Sequence, residues 1–277
     1  SLSLSLSAST MAMGLPLFAS IFLMLHLSFA VSSDQCLIPA KVSKFPCPSA
    51  VSAGACGYGP MAPGFNGGNV AGGSSALFRD GVGCGACFNL KCKDKKLCNT
   101  VGTNVVVTDL TKSNRTDFLL SDQAFTALAR AGKASELNKH PILDVVYRRV
   151  PCEYNKNLSV MVEKGSIKPS NLVIKFLYQG GQTDILVVDV NQVGSSDYRF
   201  MSRKFGAVWE TSNAPAGPIQ FRLFVIGGYD RLMVYSVRPL PADWKVGAVY
   251  DLGVQITAVA KDGCSQTAGD AKAEAMK

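Results

Sequence analysis

The cluster of cysteine and glycine between residues 54 and 98 constrains this chain more than any other feature. It reads Gly-Ala-Cys-Gly-Tyr-Gly at 54–59 and Gly-Cys-Gly-Ala-Cys-Phe-Asn-Leu-Lys-Cys at 83–92, and it ends at Cys98. A segment with five cysteines and so little side-chain bulk needs either disulfide bonds or a bound metal. Whether the cysteines form disulfides or bind a metal depends on whether the chain is secreted, and the N-terminal segment bears on that question.

Residues 11–33 have the pattern of a secretory signal. The apolar run from Leu15 to Ala30 carries no charged residue and leads into small residues suited to cleavage. Residues 1–9 alternate Ser and Leu ahead of Met11 and resemble an untranslated extension. The alternative is a retained membrane anchor, which the short run disfavours. We expect a secreted chain that leaves the membrane after signal cleavage.

Cysteines of a secreted chain are expected to pair. The chain has nine, so at least one stays unpaired or bonds to another molecule. The Cys84-x-x-Cys87 spacing also fits a redox motif or half of a zinc site. A zinc site needs a second pair or nearby histidines, and only His140 follows the signal. We predict structural disulfides, no metal and no cofactor.

The net charge of +8, with 17% charged residues, limits the choice of partners. The sequence shows no Arg/Lys cluster with interleaved aromatic residues, so we expect no nucleic-acid binding. Acidic matrix polysaccharide such as pectin is a better counter-charge for a secreted chain. Sequons at Asn114 and Asn157 predict surface glycosylation.

The first half, residues 34–152, has the pattern of a small closed β-barrel. Short β-rich runs occupy 88–92, 104–108 and 142–149. Between the last two lies a helical pattern, which Ser121 or Asp122 caps and Gly132 ends. Several short strands around one helix indicate a barrel held by disulfides.

The second half, residues 169–254, holds no cysteine and alternates regularly. Four runs, at 172–178, 186–190, 219–225 and 233–237, place apolar residues at every second position. This pattern predicts an antiparallel, immunoglobulin-like β-sandwich. Residues 153–168 form a polar connector, and 255–277 form a C-terminal tail.

Several motifs occur in a fixed order along the chain. They include Gly54–Gly59, Gly83–Phe88, Tyr147-Arg-Arg-Val-Pro-Cys152, Met201-Ser-Arg-Lys-Phe-Gly-Ala-Val-Trp209 and Leu240-Pro-Ala-Asp-Trp244. Together they resemble the plant expansins. Val107-Thr-Asp-Leu110, Tyr178-Gln-Gly-Gly-Gln-Thr183 and Asp262-Gly-Cys264 narrow the resemblance to the expansin-like A subgroup.

The resemblance implies an all-β chain with two domains. A six-stranded double-psi β-barrel, similar to family-45 endoglucanases, precedes a β-sandwich that binds polysaccharide. It also implies the pairs Cys56–Cys84, Cys87–Cys152 and Cys92–Cys98. Of the remaining cysteines, we expect Cys36 to pair with Cys264 and Cys47 to stay free.

The carboxyl groups needed for hydrolysis are missing from the expected positions. Glycoside hydrolysis uses two carboxyl groups that flank the scissile bond. The His-Phe-Asp motif of expansins aligns with Asp117-Phe118-Leu119, so Leu119 replaces the aspartate. The second carboxylate of the endoglucanases precedes Gly54, where residues 36–53 contain no Asp or Glu. Since an apolar side chain cannot transfer a proton, we predict no catalytic residue and no enzyme.

The candidates for a polysaccharide groove are Tyr58, Thr108, Asp109 and Asp117. Asp109 and Thr108 end a strand and can hydrogen-bond glycan hydroxyls, although Asp109 can equally cap the next turn. Asp117 shares a face with Leu119 if the strand is regular. Tyr58 lines the polysaccharide path in the family, or else plugs the barrel.

The candidates for a flat binding platform in the second domain are Phe205 and Tyr198. Phe205 aligns with the family's platform aromatic, helped by the basic residues Arg203 and Lys204. A second family aromatic falls on Ser170-Asn171 and is absent. We expect Trp209 and Trp244 to pack in the core or between the domains.

These features together indicate a secreted plant cell-wall protein. We expect a monomer that binds cellulose, xyloglucan or acidic pectin without hydrolysis and modifies or loosens the wall. The alternatives are a weak family-45-like endoglucanase and a defence or signalling protein that reuses the barrel.

Overall fold

The computed structural model of the chain describes residues 37–227 and 230–260. The predicted signal segment, Cys36, Cys264 and the part of the tail after Ala260 lie outside the described residues. No helix within the described ranges is long and apolar enough to cross a membrane.

Residues 38–150 form a closed six-stranded barrel, as predicted. Its strands are β1 (Ile38–Lys44), β2 (Val70–Gly73), β3 (Cys87–Cys92), β4 (Thr103–Leu110), β5 (Phe118–Leu120) and β6 (Leu143–Val150). They close in the order β1-β5-β2-β4-β3-β6. The pairs β1–β5 and β2–β4 are parallel, and the others are antiparallel.

The barrel interior is filled by side chains. Phe88, Phe118 and Tyr147 pack edge to face, with ring centroids 5.2 to 5.7 Å apart. Such filling is usual for a small barrel. A ligand therefore has to use the outer surface of the barrel wall.

Short helices connect the barrel strands. The α-helices are α1 (Ser75–Phe78), α2 (Asp122–Ala127) and α3 (Ala134–Leu137), and 3-10 turns cover Pro48–Ala53, Gly59–Gly68 and Arg79–Gly81. The predicted N-cap of α2 is confirmed, because Ser121 Oγ accepts from the Ala124 amide at 3.1 Å. The helix ends earlier than the Gly132 that we expected.

Three disulfides cross-link the barrel region. They join Cys56 to Cys84, Cys87 to Cys152 and Cys92 to Cys98, the same pairs that the resemblance implies. Among the described residues, Cys47 is free and exposed.

The second domain is one eight-stranded sheet that curls over its own core. Its strands are β7 (Ser159–Val162), β8 (Leu172–Leu177), β9 (Asp184–Gln192), β10 (Arg199–Phe205), β11 (Val208–Thr211), β12 (Ile219–Gly227), β13 (Asp230–Tyr235) and β14 (Val249–Asp251). The order is β13-β12-β9-β10-β11-β8-β7-β14. Phe176 of β8 and Phe221 of β12 meet in the core at 6.1 Å, so the two halves of the sheet face each other.

The predicted sandwich is confirmed as two facing halves, which β10 joins because its first part pairs with β9 and its second part with β11. One detail differs from the prediction. The predicted connector 153–168 contains β7, whose Val160 and Val162 are fully buried. Polar neighbours on both sides of β7 hid this short alternation.

Charged side chains join the barrel to the curled sheet. Asp184 of β9 accepts from Arg79 at 2.7 and 2.9 Å and from Arg149 at 2.5 Å. Lys175 of β8 donates to the Gly57 carbonyl at 2.7 Å. Burial alone would raise the pKa of Asp184, but the two arginines outweigh it and lower the pKa to about 2. The junction is thus ionic and largely buried.

Candidate functional site

One row of residues crosses the outside of the barrel wall from β4 to β5. Gly72 on β2 pairs with Asp109 on β4 and with Leu119 on β5. Directly paired residues point to the same face. The backbones at Asp109 and Leu119 are therefore two strand spacings apart, about 9.5 Å. Carboxyl pairs of inverting glycosidases lie about 6.5–9.5 Å apart, so Leu119 stands where a partner of Asp109 would be needed.

The carboxylate of Asp109 anchors a barrel loop. Its Oδ1 accepts from the amides of Ala55 at 2.6 Å and Leu110 at 2.8 Å. Gly54 permits this close approach, because a Cβ there would collide with the Thr108 carbonyl oxygen. Asp109 is half-buried, and its Oδ2 has no hydrogen-bond partner among the described residues. That oxygen is the acceptor available to a ligand.

The space between Asp109 and Leu119 is apolar. Leu119 packs against a cluster that contains Phe45. The Phe45 ring also covers Gly72, since a Cβ at Gly72 would lie 3.4 Å from Phe45 Cζ. The sequence reasoning missed Phe45, although an aromatic residue directly after the first strand was a usable signal. The row can therefore support apolar and hydrogen-bonding contact rather than proton transfer.

Two of the groove candidates lie beneath the surface. Tyr58 is 4% exposed, and its ring packs 4.7 Å from that of Phe65; this burial raises its pKa. Thr108 is fully buried, and its hydroxyl has no partner within the described part of the chain. For Tyr58 this placement favours the barrel-plug interpretation, and neither residue is open to a glycan in this conformation.

Asp117 lies on the outer side of the wall, as does Leu119, because the intervening Phe118 is buried. Its Oδ2 accepts from the Lys41 amide at 2.9 Å. Burial, and then the charge of Asp117, raise the pKa of Tyr147. The carboxylate of Asp117 therefore binds the backbone of β1. It lies two residues before Leu119 and is not part of the row.

A cavity of about 180 Å³ opens beside Phe45. Its lining mixes apolar and polar side chains: Phe45, Cys47, Pro48, Val51, Pro63, Gly68, Ser121, Asp122 and Gln123. Ser121 Oγ donates to the Gly68 carbonyl at 2.7 Å, and Asp122 pairs with Lys44 at 3.4 Å. Such a lining can contact both the apolar faces and the hydroxyl edges of a sugar.

The two platform candidates lie on different halves of the curled sheet. Phe205, 49% exposed, rests against the barrel loop, because a Cβ at Gly57 would lie 2.7 Å from its Cε2. Tyr198 precedes the part of β10 that pairs with β9, and the guanidinium of Arg222 lies 3.5 Å from its ring centre. Of the two, Phe205 is the one that contacts the barrel loop.

The two basic residues next to Phe205, Arg203 and Lys204, contact other groups of the protein. Arg203 donates to the carbonyls of Gly206 and Ile185 at 2.6 Å and of Gly81 at 3.3 Å. Burial lowers its pKa to about 10. Lys204 pairs with Glu210. Both cations therefore already have partners within the protein.

The remaining candidates differ in exposure. Asn114 is exposed, whereas Asn157 is half-buried and donates to Asp251 at 3.2 Å. Trp209 and Trp244 are buried in the core of the curled sheet. The described ranges contain no group of three His, Cys, Asp or Glu side chains that could hold a metal ion.

Comparison with known sequences gives the same two-part division. A family model described as Expansin C-terminal domain matches residues 158–239, and one described as Lytic transglycolase matches residues 70–145. Expansin-like A1 of Arabidopsis thaliana is 49% identical over 256 residues, which cover 91% of this chain and 97% of the relative. Expansin-like A3 of Oryza sativa subsp. japonica is 54% identical over 201 residues, 72% of this chain and 73% of the relative.

Solved structures share the fold. The apo expansin of Clavibacter michiganensis superposes with a TM-score of 0.60 at 15% identity, covering 80% of this chain and 97% of that one. A mutant of that protein in complex with cellohexaose gives a TM-score of 0.59 at 15% identity, covering 77% and 96%.

Proposed function

We propose, since this chain belongs to the expansin-like proteins, that it binds plant cell-wall polysaccharide without hydrolysing it. It would act in the extracellular wall, where it disturbs contacts between glucan chains and modifies or loosens the wall. Cellulose and xyloglucan are the proposed neutral ligands, and acidic pectin is a charge-driven one. The protein would act as a monomer.

The observation that carries this proposal is the contact between Phe205 and the loop that Asp109 anchors. Asp109 holds Ala55, and the next residue, Cys56, accepts at its carbonyl from the Ala207 amide at 3.0 Å. The Phe205 ring lies against Gly57 of the same loop. These contacts support a proposed groove on the barrel and a proposed platform on the sheet that would meet at this loop, an arrangement that suits an extended chain.

The chemistry of this surface fits a sugar chain. An exposed aromatic ring can stack on the C–H face of a pyranose, and the free Oδ2 of Asp109 can accept from a hydroxyl. The ionic junction around Asp184 holds the two parts in a fixed relation. Binding of this kind replaces contacts between neighbouring glucan chains and breaks no covalent bond. The cellohexaose complex of the bacterial neighbour supports this ligand class.

Hydrolysis is disfavoured by the residues around Asp109. Leu119 supplies no proton, and the Phe45 ring covers the surface where a water would have to be activated. A reducing-sugar assay on cellulose and xyloglucan tests the endoglucanase alternative. Release of soluble sugar above a protein-free blank would support that alternative.

The test of binding compares Phe205→Ala with Phe205→Tyr. Loss of one stacked ring should weaken cellulose retention about tenfold in the alanine variant, whereas tyrosine should preserve it. Added salt should release the protein from pectin and leave cellulose retention unchanged, because only the pectin contact is ionic.

Melting temperatures of both variants show whether Phe205 is instead a packing residue. A parallel fall in stability and in retention on all ligands would favour packing. Failure of the wild type to bind any polysaccharide would contradict the proposed function and favour a defence or signalling role.

A further inference from the structure

The half of the curled sheet formed by β9, β10, β12 and β13 carries a group of aromatic side chains on its outer face. We call this group the outer strip. It consists of four aromatic residues and the arginine that they surround, all on one face of the sheet: Tyr198, Phe200, Arg222, Phe224 and Tyr235. The proposed function does not use them, since Phe205 belongs to the part of β10 that pairs with β11.

The register of the strands places the strip in line. Phe200 pairs with Asp189, Asp189 with Arg222, and Arg222 with Tyr235. Residues next to these on the same strands are buried in the core: Met201, Val188 and Leu223. The row therefore faces away from the core and spans three strand spacings, about 14 Å.

Arg222 is held flat at the centre of the strip. Its Nε and Nη2 donate to Asp189 Oδ2 at 3.0 and 2.6 Å. The guanidinium lies 3.5 Å from the ring centre of Tyr198 and 5.5 Å from that of Phe224. Asp189 is 2% exposed, so this ion pair fixes a planar group between two rings and leaves little rotational freedom.

The ends of the row are open to solvent. Phe200 is 72% and Tyr235 is 42% exposed. Exposed aromatic rings on a rigid sheet are costly to solvate and are typical of binding surfaces. The strip thus has two accessible rings on either side of a fixed planar centre.

The charges of the strip select the ligand. Asp189 neutralises Arg222, so the centre carries no free charge for a polyanion. A membrane or an obligate dimer would need a more continuous apolar surface, whereas in this row the Asp189–Arg222 ion pair separates the rings of Phe200 and Tyr235. A ligand with flat apolar faces and hydroxyl edges, but no charge, matches this arrangement.

We propose that the outer strip is a second polysaccharide-binding surface, which stacks an extended, neutral sugar chain across β10, β9, β12 and β13. This inference rests on the proposed function of the groove, to which it adds a second contact. A protein with two such surfaces can hold two chains at once, and bivalent binding strengthens retention without new chemistry. It would therefore bridge wall polysaccharides.

The test uses soluble xyloglucan with four proteins. They are the wild type, Phe205→Ala, the double variant Phe200→Ala/Tyr235→Ala, and the combination of all three substitutions. We expect the combination to bind about tenfold or more weakly than Phe205→Ala. Light scattering of long xyloglucan should rise with the wild type, because bridged chains form larger particles, and should not rise with the double variant. Val101→Ala, an exposed site on the barrel, is the matched control.

The outcomes separate the two proposals. Unchanged binding and scattering of the double variant, with an unchanged melting temperature, would overturn the second surface and leave the proposed function intact. Absence of wild-type binding to xyloglucan and cellulose would contradict both. Sedimentation without glycan provides a further check. Self-association that the double variant abolishes would assign the strip to a second copy of this chain and overturn the proposal.

Discussion

The barrel and the curled sheet are stabilised in different ways. Three disulfides cross-link the barrel region, and close loop approaches there depend on residues such as Gly54. The curled sheet holds no disulfide among the described residues and relies on a core that includes Trp209, Trp244 and Phe221. The row of Asp109, Gly72 and Leu119 and the loop beside Phe205 belong to the cross-linked part. The comparison teaches that the barrel has disulfides in addition to its apolar core, whereas the described part of the sheet has an apolar core without them.

Reduction of the disulfides should produce the largest difference in stability between the barrel and the sheet. The bonds Cys56–Cys84 and Cys87–Cys152 close loops with sequence separations of 28 and 65. Each such loop contributes about 3–4 kcal/mol, and a domain is stable by only about 5–15 kcal/mol. We expect the barrel to unfold and the sheet to persist.

Tryptophan fluorescence makes this experiment specific. Both tryptophans of the chain, Trp209 and Trp244, lie in the curled sheet. Reduction should therefore change the circular dichroism of the barrel strands while the emission stays native. Simultaneous loss of both signals would show that the two parts unfold as one unit. Peptide mapping that links Cys56 to a residue other than Cys84 would contradict the pairing itself.

Acid should give the next largest effect, through the junction that couples the two parts. The folded pKa of Asp184 is about 2, and an unfolded aspartate titrates near about 3.9. The stabilisation is present above the unfolded pKa and is lost as the pH falls from about 4 towards 2. It amounts to about 2–3 kcal/mol.

The variant Asp184→Asn isolates this contribution. It should be less stable at pH 7, because Arg149 is largely buried and loses its partner. Its stability should also change less between pH 4 and pH 2 than that of the wild type. Denaturant midpoints across this range measure both effects. An equal acid dependence in the two proteins would mean that other carboxyl groups control the acid sensitivity.

Much of the fold could be predicted from local patterns. The alternation of apolar and polar residues predicted strands such as Leu172–Leu177 and Ile219–Gly227. The N-cap residue Ser121 predicted a helix. The short strand Ser159–Val162 was missed because four residues carry too little alternation. The joining of the two halves through β10 was not predicted, because it depends on which strands pair with each part of β10.

The candidate site was harder to predict than the fold. Spacing could bring Asp109 and Leu119 to strand ends, but only the register across Gly72 shows that they share one row. The glycines beside Tyr58 suggested an accessible ring, but its burial depends on packing against residues such as Phe65, which local sequence does not show. Of the outer strip, the sequence reasoning singled out only Tyr198, because the row of Phe200, Arg222 and Tyr235 depends on the register that links β10 to β12 and β13 through β9.

The smallest expected effect comes from returning a carboxylate to the barrel row. Leu119→Asp would place two carboxyl groups on either side of Gly72, at a separation compatible with an inverting pair. We nevertheless expect no release of soluble cello-oligosaccharides. Asp109 uses Oδ1 to hold the Ala55 loop, and the Phe45 ring covers the surface between the two positions, so no water can be activated there.

A reducing-sugar assay on cellulose, with Leu119→Asn as the uncharged control, measures this prediction. Both variants place a polar group at a half-buried apolar site and should lose similar stability. Equal, blank-level signals for the wild type and both variants are the expected result. Sugar release by the aspartate variant alone would show that a single missing carboxylate separates this barrel from a hydrolase. It would also show that Phe45 moves aside when a sugar chain binds.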